Sequence, residues 1–210
     1  MPYRDLTRTV DTDMPVFPGD PTVTVEPHAT HQEDGYRVSA VECGSHAGTH
    51  VDAPSHTEAD GRTLDALDVD RFARDAVMAD CRGRSPRSPI GPDALPATDA
   101  DLVVVRTGWD EYWGEGTYFD HPHLTPEAAE FCVEQGYDVA IDALNVDPTP
   151  TDDAPSQGVP AHHALLGRGH LVFENLTDLA DLPRRFRFLA FPLKLADGDG
   201  APVRAVARYD

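Results

Sequence analysis

The segment Gly44-Ser45-His46-Ala47-Gly48-Thr49-His50-Val51-Asp52-Ala53-Pro54-Ser55-His56 sets three histidines and an aspartate within eleven residues, spaced four, two and four apart. Neutral imidazole and carboxylate are ligands for zinc, manganese or iron. A spacing of four puts two histidines on one helix face in zinc peptidases of the His-Glu-x-x-His type, but Ala47 follows His46, so the glutamate base of that pattern is missing. Gly44, Gly48, Thr49, Val51 and Pro54 also argue against a helix. The segment reads as a loop entering a short strand. In an extended His50-Val51-Asp52, residues two apart point to one side, and a glycine-permitted turn at Gly48 brings in His46. His56 is either a further ligand or a proton carrier, because imidazole titrates near neutral pH. The chain has ten histidines, but scattered surface histidines would not show this density or spacing.

The elements that must position these groups come from the rest of the chain. Its 210 residues suit one domain with a substantial core. The balance of 37 acidic against 17 basic residues gives a net charge of -20. That disfavours nucleic acid and anionic membranes as partners. Lysine occurs once, at Lys194. Heavy acidity with almost no lysine reads as adaptation to high salt, where screening makes crowded carboxylates tolerable. Cys43, Cys81 and Cys132 are odd in number and lack CxxC pairing, which points to a reduced, cytoplasmic setting. Cys132 falls on the apolar side of a helix, and Cys43, although near the histidines, reads as core. Neither a signal run nor a stretch of transmembrane length is expected.

Strands are predicted over 22–27, 36–43, 101–106, 137–143, 171–174, 187–193 and 201–207. Residues 71–80 read as a helical start followed by an extended 76–79, and 82–96 as loop. The 101–106 run is continuously apolar through its middle, as in a strand covered on both faces. Thr125 caps a helix with Pro126 at its first position and Gly136 at its end. A second helix spans 160–167. The expected class is mixed α/β with a largely β core.

His162 and Glu174 flank a helix, the Gly167-Arg168-Gly169 turn and a strand, so the chain reversal can bring them together. A carboxylate ending an apolar strand is costly unless paired or metal-bound. With the first cluster, the chain resembles the cyclase family of metal-dependent hydrolases, which includes bacterial kynurenine formamidase and isatin hydrolase. The family pattern His-x-Gly-Thr-His-x-Asp-x-Pro-x-His is complete between His46 and His56. Pro18-Gly19-Asp20-Pro21, Thr107-Gly108-Trp109, Pro192-Leu193-Lys194 and Asp199 to Ala205 are also similar. In the stretch resembling Gly-Ile-Asp-x-x-Ser-Val-Asp, Ala140 and Asn145 replace glycine and serine, which bears on substrate identity.

The resemblance implies a single hydrolase domain over 1–210, of swivelling β/β/α-like barrel type. It implies that His46, His50 and Asp52 hold one divalent ion. His162 and Glu174 would hold a second, with Asp52 as bridge and His56 as acid and base. Asp142 and Asp147 are supporting groups, and His163 points elsewhere. Zinc suits the ligand set and manganese tolerates it. The implied reaction is hydrolysis of a small amide by metal-activated water, N-formylkynurenine being the leading substrate and isatin-like cyclic amides the alternative. A module that binds metal or ligand without turnover is the reading from another class; His56 argues against it. Family members are commonly homo-oligomers. Phe17, Trp109, Tyr112 and Trp113 offer flat apolar surface to a substrate, Phe17 foremost.

Overall fold

The computed structural model describes residues 1–151, 155 and 158–210. Its main sheet comprises β1 (Tyr3–Asp5), β4 (His50–Asp52), β5 (Ala73–Asp80), β7 (Leu102–Arg106), β9 (Asp138–Ile141), β10 (Val172–Glu174), β11 (Arg185–Pro192) and β12 (Gly200–Arg208). Two small ladders join β2 (Thr24–Ala29) to β3 (Val38–Glu42), and β6 (Pro89–Ile90) to β8 (His123–Leu124). The order β12-β11-β5-β7-β9-β10-β4 closes on itself through β4–β12 pairing, which makes a seven-stranded barrel with β1 added along β12. The result is a mixed α/β domain with a β core.

Strand alternation divides the core into two layers. Val51, Leu102, Val104, Ala140, Phe173 and Phe188 fill the barrel interior. Val103, Val105, Val139, Ile141 and Val172 face outward and are covered by α1 (Pro126–Gln135) and α2 (Pro160–Leu166). This double burial is why 102–105 reads as an unbroken apolar run. Helix α1 has the expected ends: Ala128 N–H donates to Thr125 Oγ1, Pro126 opens the helix, and Gly136 closes it at φ 76°.

Three expectations need correction. Residues 71–80 are extended from Ala73 onward, after a 3-10 turn at Val69–Phe72; pairing with β7 and β11 overrides the local helical tendency. Within the expected loop 82–96, Pro89–Ile90 pairs in parallel with His123–Leu124, since proline at the first residue of a strand costs no ladder hydrogen bond there. Cys43 is exposed rather than core, because the β2–β3 hairpin stands away from the barrel and every residue of β3 is exposed. Cys132 is buried, and burial pushes its thiol up to about 12.

Candidate metal centre

The site lies on the outer face of the barrel. On β4, Val51 points inward, so His50 and Asp52 point out together, as their spacing predicts. On β10, Phe173 points inward and Glu174 outward. The antiparallel register sets Glu174 directly opposite His50 and Val172 opposite Asp52. Helix α2 packs beside them and contributes His162. His46 arrives from the loop before β4, where Gly48 takes φ 63° and a Cβ would meet Met14 Cε at 2.9 Å.

Asp52 is the hub. Its Oδ1 lies 2.7 Å from His46 Nδ1 and 3.2 Å from His50 Nε2, and its Oδ2 lies 3.3 Å from His162 Nε2. Glu174 Oε2 is 3.5 Å from His50 Nε2, and Oε1 is 3.5 Å from His162 Nε2. Two groups of potential ligands therefore share Asp52: His46-His50-Asp52 and Asp52-His162-Glu174, each with ligand atoms within 4.8 Å of one another.

The supporting hydrogen bonds aim lone pairs into this space. His50 Nδ1–H donates to Gly48 O at 2.8 Å, which leaves Nε2 as the inward acceptor. Asp147 accepts from His162 Nδ1 at 2.8 Å and also from the Ala161 and His162 backbone N–H groups, so one carboxylate orients the ring and caps the first turn of α2. Asp142 accepts from Thr107 N, Thr107 Oγ1 and Gly108 N. Burial still raises its carboxyl to about 6. Asp147 thus braces His162, while Asp142 holds the Thr107-Gly108 turn.

The donor set fits a divalent cation. Asp52 and Glu174 are 1% and 3% exposed, and no Lys or Arg lines the adjoining cavity among the described residues. Buried carboxylates without a cationic partner are expensive. Their demand for positive charge shows in the imidazoles. Burial opposes protonation of His46, but Asp52, aided by Asp199, raises it to about 9. Burial likewise opposes His162, yet Asp147, Asp52 and Glu174 hold it well above its usual value.

His56 closes a 3-10 turn at Pro54–His56 and is the most exposed of the four site histidines. Its ring packs 4.0 Å from that of His46 and 5.8 Å from that of His162. Burial, with His46 and His162 adding to it, holds this imidazole below its usual value against the pull of Asp52 and Glu174. His163 turns away and meets Glu58 at 2.8 Å.

The cavity over these groups measures about 180 Å³, with Phe17, Leu144 and Val159 as apolar lining and Asp20, Asn145 and Asn175 as polar lining. Of the four aromatic residues expected, Phe17 alone lines it. Trp109 is buried and donates Nε1–H to Thr117 O, while Trp113 packs against Tyr118 and under Arg8. Sequence reasoning missed Asp199, whose Oδ2 lies 3.2 Å from His46 Nε2 and 3.7 Å from His56 Nδ1. It also missed Asn175, which sits one residue beyond Glu174 at φ 59°; a positive φ on asparagine has no spacing pattern to betray it.

A closed barrel that carries a shared-carboxylate, three-histidine cluster on its outer face, with a fourth histidine at the cavity, is the framework of a hydrolase of metal-dependent type. The chain belongs to the cyclase family: residues 4–148 match the family model described as putative cyclase. It is 33% identical over 211 residues to a kynurenine formamidase of Salinibacter ruber, covering 97% of this chain and 96% of that protein. It is 30% identical to the kynurenine formamidase of Geobacillus thermodenitrificans, covering 99% and 97%. Among solved structures it is similar to isatin hydrolase A from Labrenzia aggregata, bound to benzyl benzoate, with TM-score 0.86, 26% identity and coverage of 98% and 93%. It is therefore an enzyme of the hydrolase class acting on a small molecule. Among the described residues, no helix is long and apolar enough to cross a membrane.

Proposed function

We propose that this chain is a metal-dependent amidohydrolase that converts N-formylkynurenine or a close aryl formamide to the free amine and formate, a step of tryptophan breakdown. The observation that carries this reading is the convergence of His46, His50, His162 and Glu174 on Asp52, beside a titratable His56 in a cavity with an aromatic wall. His46, His50 and Asp52 would hold one ion, and Asp52, His162 and Glu174 a second. Zinc is favoured by the imidazole-rich set, with manganese as substitute. Such an ion supplies Lewis acidity, making water acidic near neutral pH and polarising a carbonyl oxygen.

The chain's own residues supply the remainder. Phe17, Leu144 and Val159 take the aromatic part and exclude solvent. His56, neutral at working pH, accepts the proton from the attacking water as its oxygen adds to the formyl carbon. It returns that proton to the amine nitrogen as the C–N bond breaks, a role worth about 10² to 10⁴ in rate. The surface acidity supports activity at high salt in the cytoplasm. The single domain over 1–210 is proposed to assemble as a homo-oligomer.

An absorbance assay with N-formylkynurenine, using zinc- or manganese-loaded protein in high salt, tests the reading. Turnover supports it, and metal-loaded protein without turnover contradicts it. The likeness to isatin hydrolase A favours one second reading, opening of a cyclic aryl amide; isatin in the same assay separates the two.

A further inference from the structure

Two asparagines line the cavity, Asn145 and Asn175, and both are nearly buried. Each has its oxygen tied down. Asp147 N–H, which can only donate, gives its hydrogen to Asn145 Oδ1 at 2.7 Å. The buried Tyr118 hydroxyl donates to Asn175 Oδ1 at 2.8 Å. The Asn175 backbone is held as well: its N–H donates to Ala143 O at 3.0 Å, and its carbonyl accepts from Thr49 Oγ1 at 2.7 Å. What remains on each residue is the Nδ2 amide, which no hydrogen bond engages among the described residues. These are pre-oriented donors beside a cavity that offers no Lys or Arg among the described residues.

We infer that Asn145 and Asn175 form a neutral two-amide clamp that binds a carbonyl oxygen of the substrate and selects aryl amines and amides bearing a neighbouring acyl group. Amide donors suit an uncharged acceptor, and among the described residues no Lys or Arg side chain lines the cavity to pair with a carboxylate. Rejection of analogues follows from the same chemistry: a ligand without the oxygen covers the two amide N–H groups facing the cavity and gives them no acceptor. Asn145 stands where the resemblance has serine, so the two-amide form of the site belongs to this chain. The inference rests on the aryl amidohydrolase reading for its substrate class, but binding alone tests it.

The test is calorimetric binding of 2-aminoacetophenone and of 2-ethylaniline, its near isostere without the carbonyl, to zinc-loaded protein. The wild type is expected to bind the ketone about tenfold or more tightly than the hydrocarbon probe. Asn145→Asp and Asn175→Asp each keep the anchored oxygen and lose the amide N–H. Each is expected to collapse the ratio to within about twofold, with 2-ethylaniline affinity and zinc content held. Asn145→Ala, which adds no charge, is the companion variant should a new carboxylate disturb folding, and it is expected to collapse the ratio too. Equal binding of the two probes by the wild type, binding of neither, or a ratio that survives in the variants overturns the clamp. An intact ratio without N-formylkynurenine turnover supports the clamp and sinks the formamidase reading alone.

Discussion

His50 and Glu174 face each other across the β4–β10 ladder, with His50 Nε2 3.5 Å from Glu174 Oε2. Directly opposed side chains on antiparallel strands are about 5 Å apart at Cβ. The sheet register itself therefore joins a proposed ligand from the first quarter of the chain to one from the last fifth. A slip of β4 by one residue would turn His50 and Asp52 into the barrel interior and away from Glu174 on β10.

His56 touches the site without sharing the hub. His56→Ala is expected to retain the bound metal and lose about 10² to 10⁴ in kcat. Added imidazole is expected to restore part of the rate. Unchanged turnover in the variant removes His56 from the proton path.

Gly200 gives His46 its place. A Cβ there would lie 2.6 Å from His46 Cε1, well inside contact distance. Gly200→Ala is expected to fold, because Gly200 sits at the end of β12 in an ordinary extended conformation, but to displace the His46 ring. Metal affinity is expected to fall on the order of tenfold to a hundredfold, the usual effect of disturbing a ligand's support. Wild-type affinity by competitive titration would show that the ring has another place to go.

His121 supplies a pH signature for stability. It is buried, donates Nδ1–H to Pro122 O and accepts from Thr149 Oγ1. Burial pulls its imidazole down to about 4, only partly offset by the Pro122 carbonyl. The unfolded chain takes up this proton near pH 6.5, the folded chain only near 4. The stability contribution is thus complete above about pH 6.5 and is lost as pH falls toward 4, amounting to about 3 kcal/mol. His121→Gln is expected to lack this loss, so its stability relative to wild type rises by that amount between pH 7 and 4 in urea unfolding. Asp142, raised to about 6, has the opposite slope, but it is present in both proteins and cancels in the difference. A pH-independent difference would refute the assignment.

The net charge of -20 predicts a salt response. Screening shortens from about 10 Å at 0.1 M to about 3 Å at 1 M salt. Tm is expected to rise over that range as carboxylate repulsion is damped. A Tm that falls in calorimetry would count against adaptation to salt.

Much of this was open to reading from residue types. His50 and Asp52 share a face because strand periodicity is two, and the ends of α1 are written in Thr125, Pro126 and Gly136. Glu174 was visible only as an awkward carboxylate ending an apolar strand, and its pairing with His50 is a property of register. The exposure of β3 was hidden because alternation looks the same on a free hairpin as on a covered one. Asp199 and Asn175 gain their chemical meaning from partners distant in the chain, His46, His56 and Tyr118 among them, and Asn145, visible in the sequence as a departure from the family's serine, gains its meaning from cavity shape. Local pattern carries neither.

The central claim is that Asp52 joins two cation positions. Elemental analysis of wild-type and Asp52→Asn protein, each loaded with zinc and passed through a desalting column, tests it directly. The account predicts up to two zinc ions per wild-type chain and an essentially metal-free, inactive but folded variant. Equal zinc content in the two proteins would contradict it.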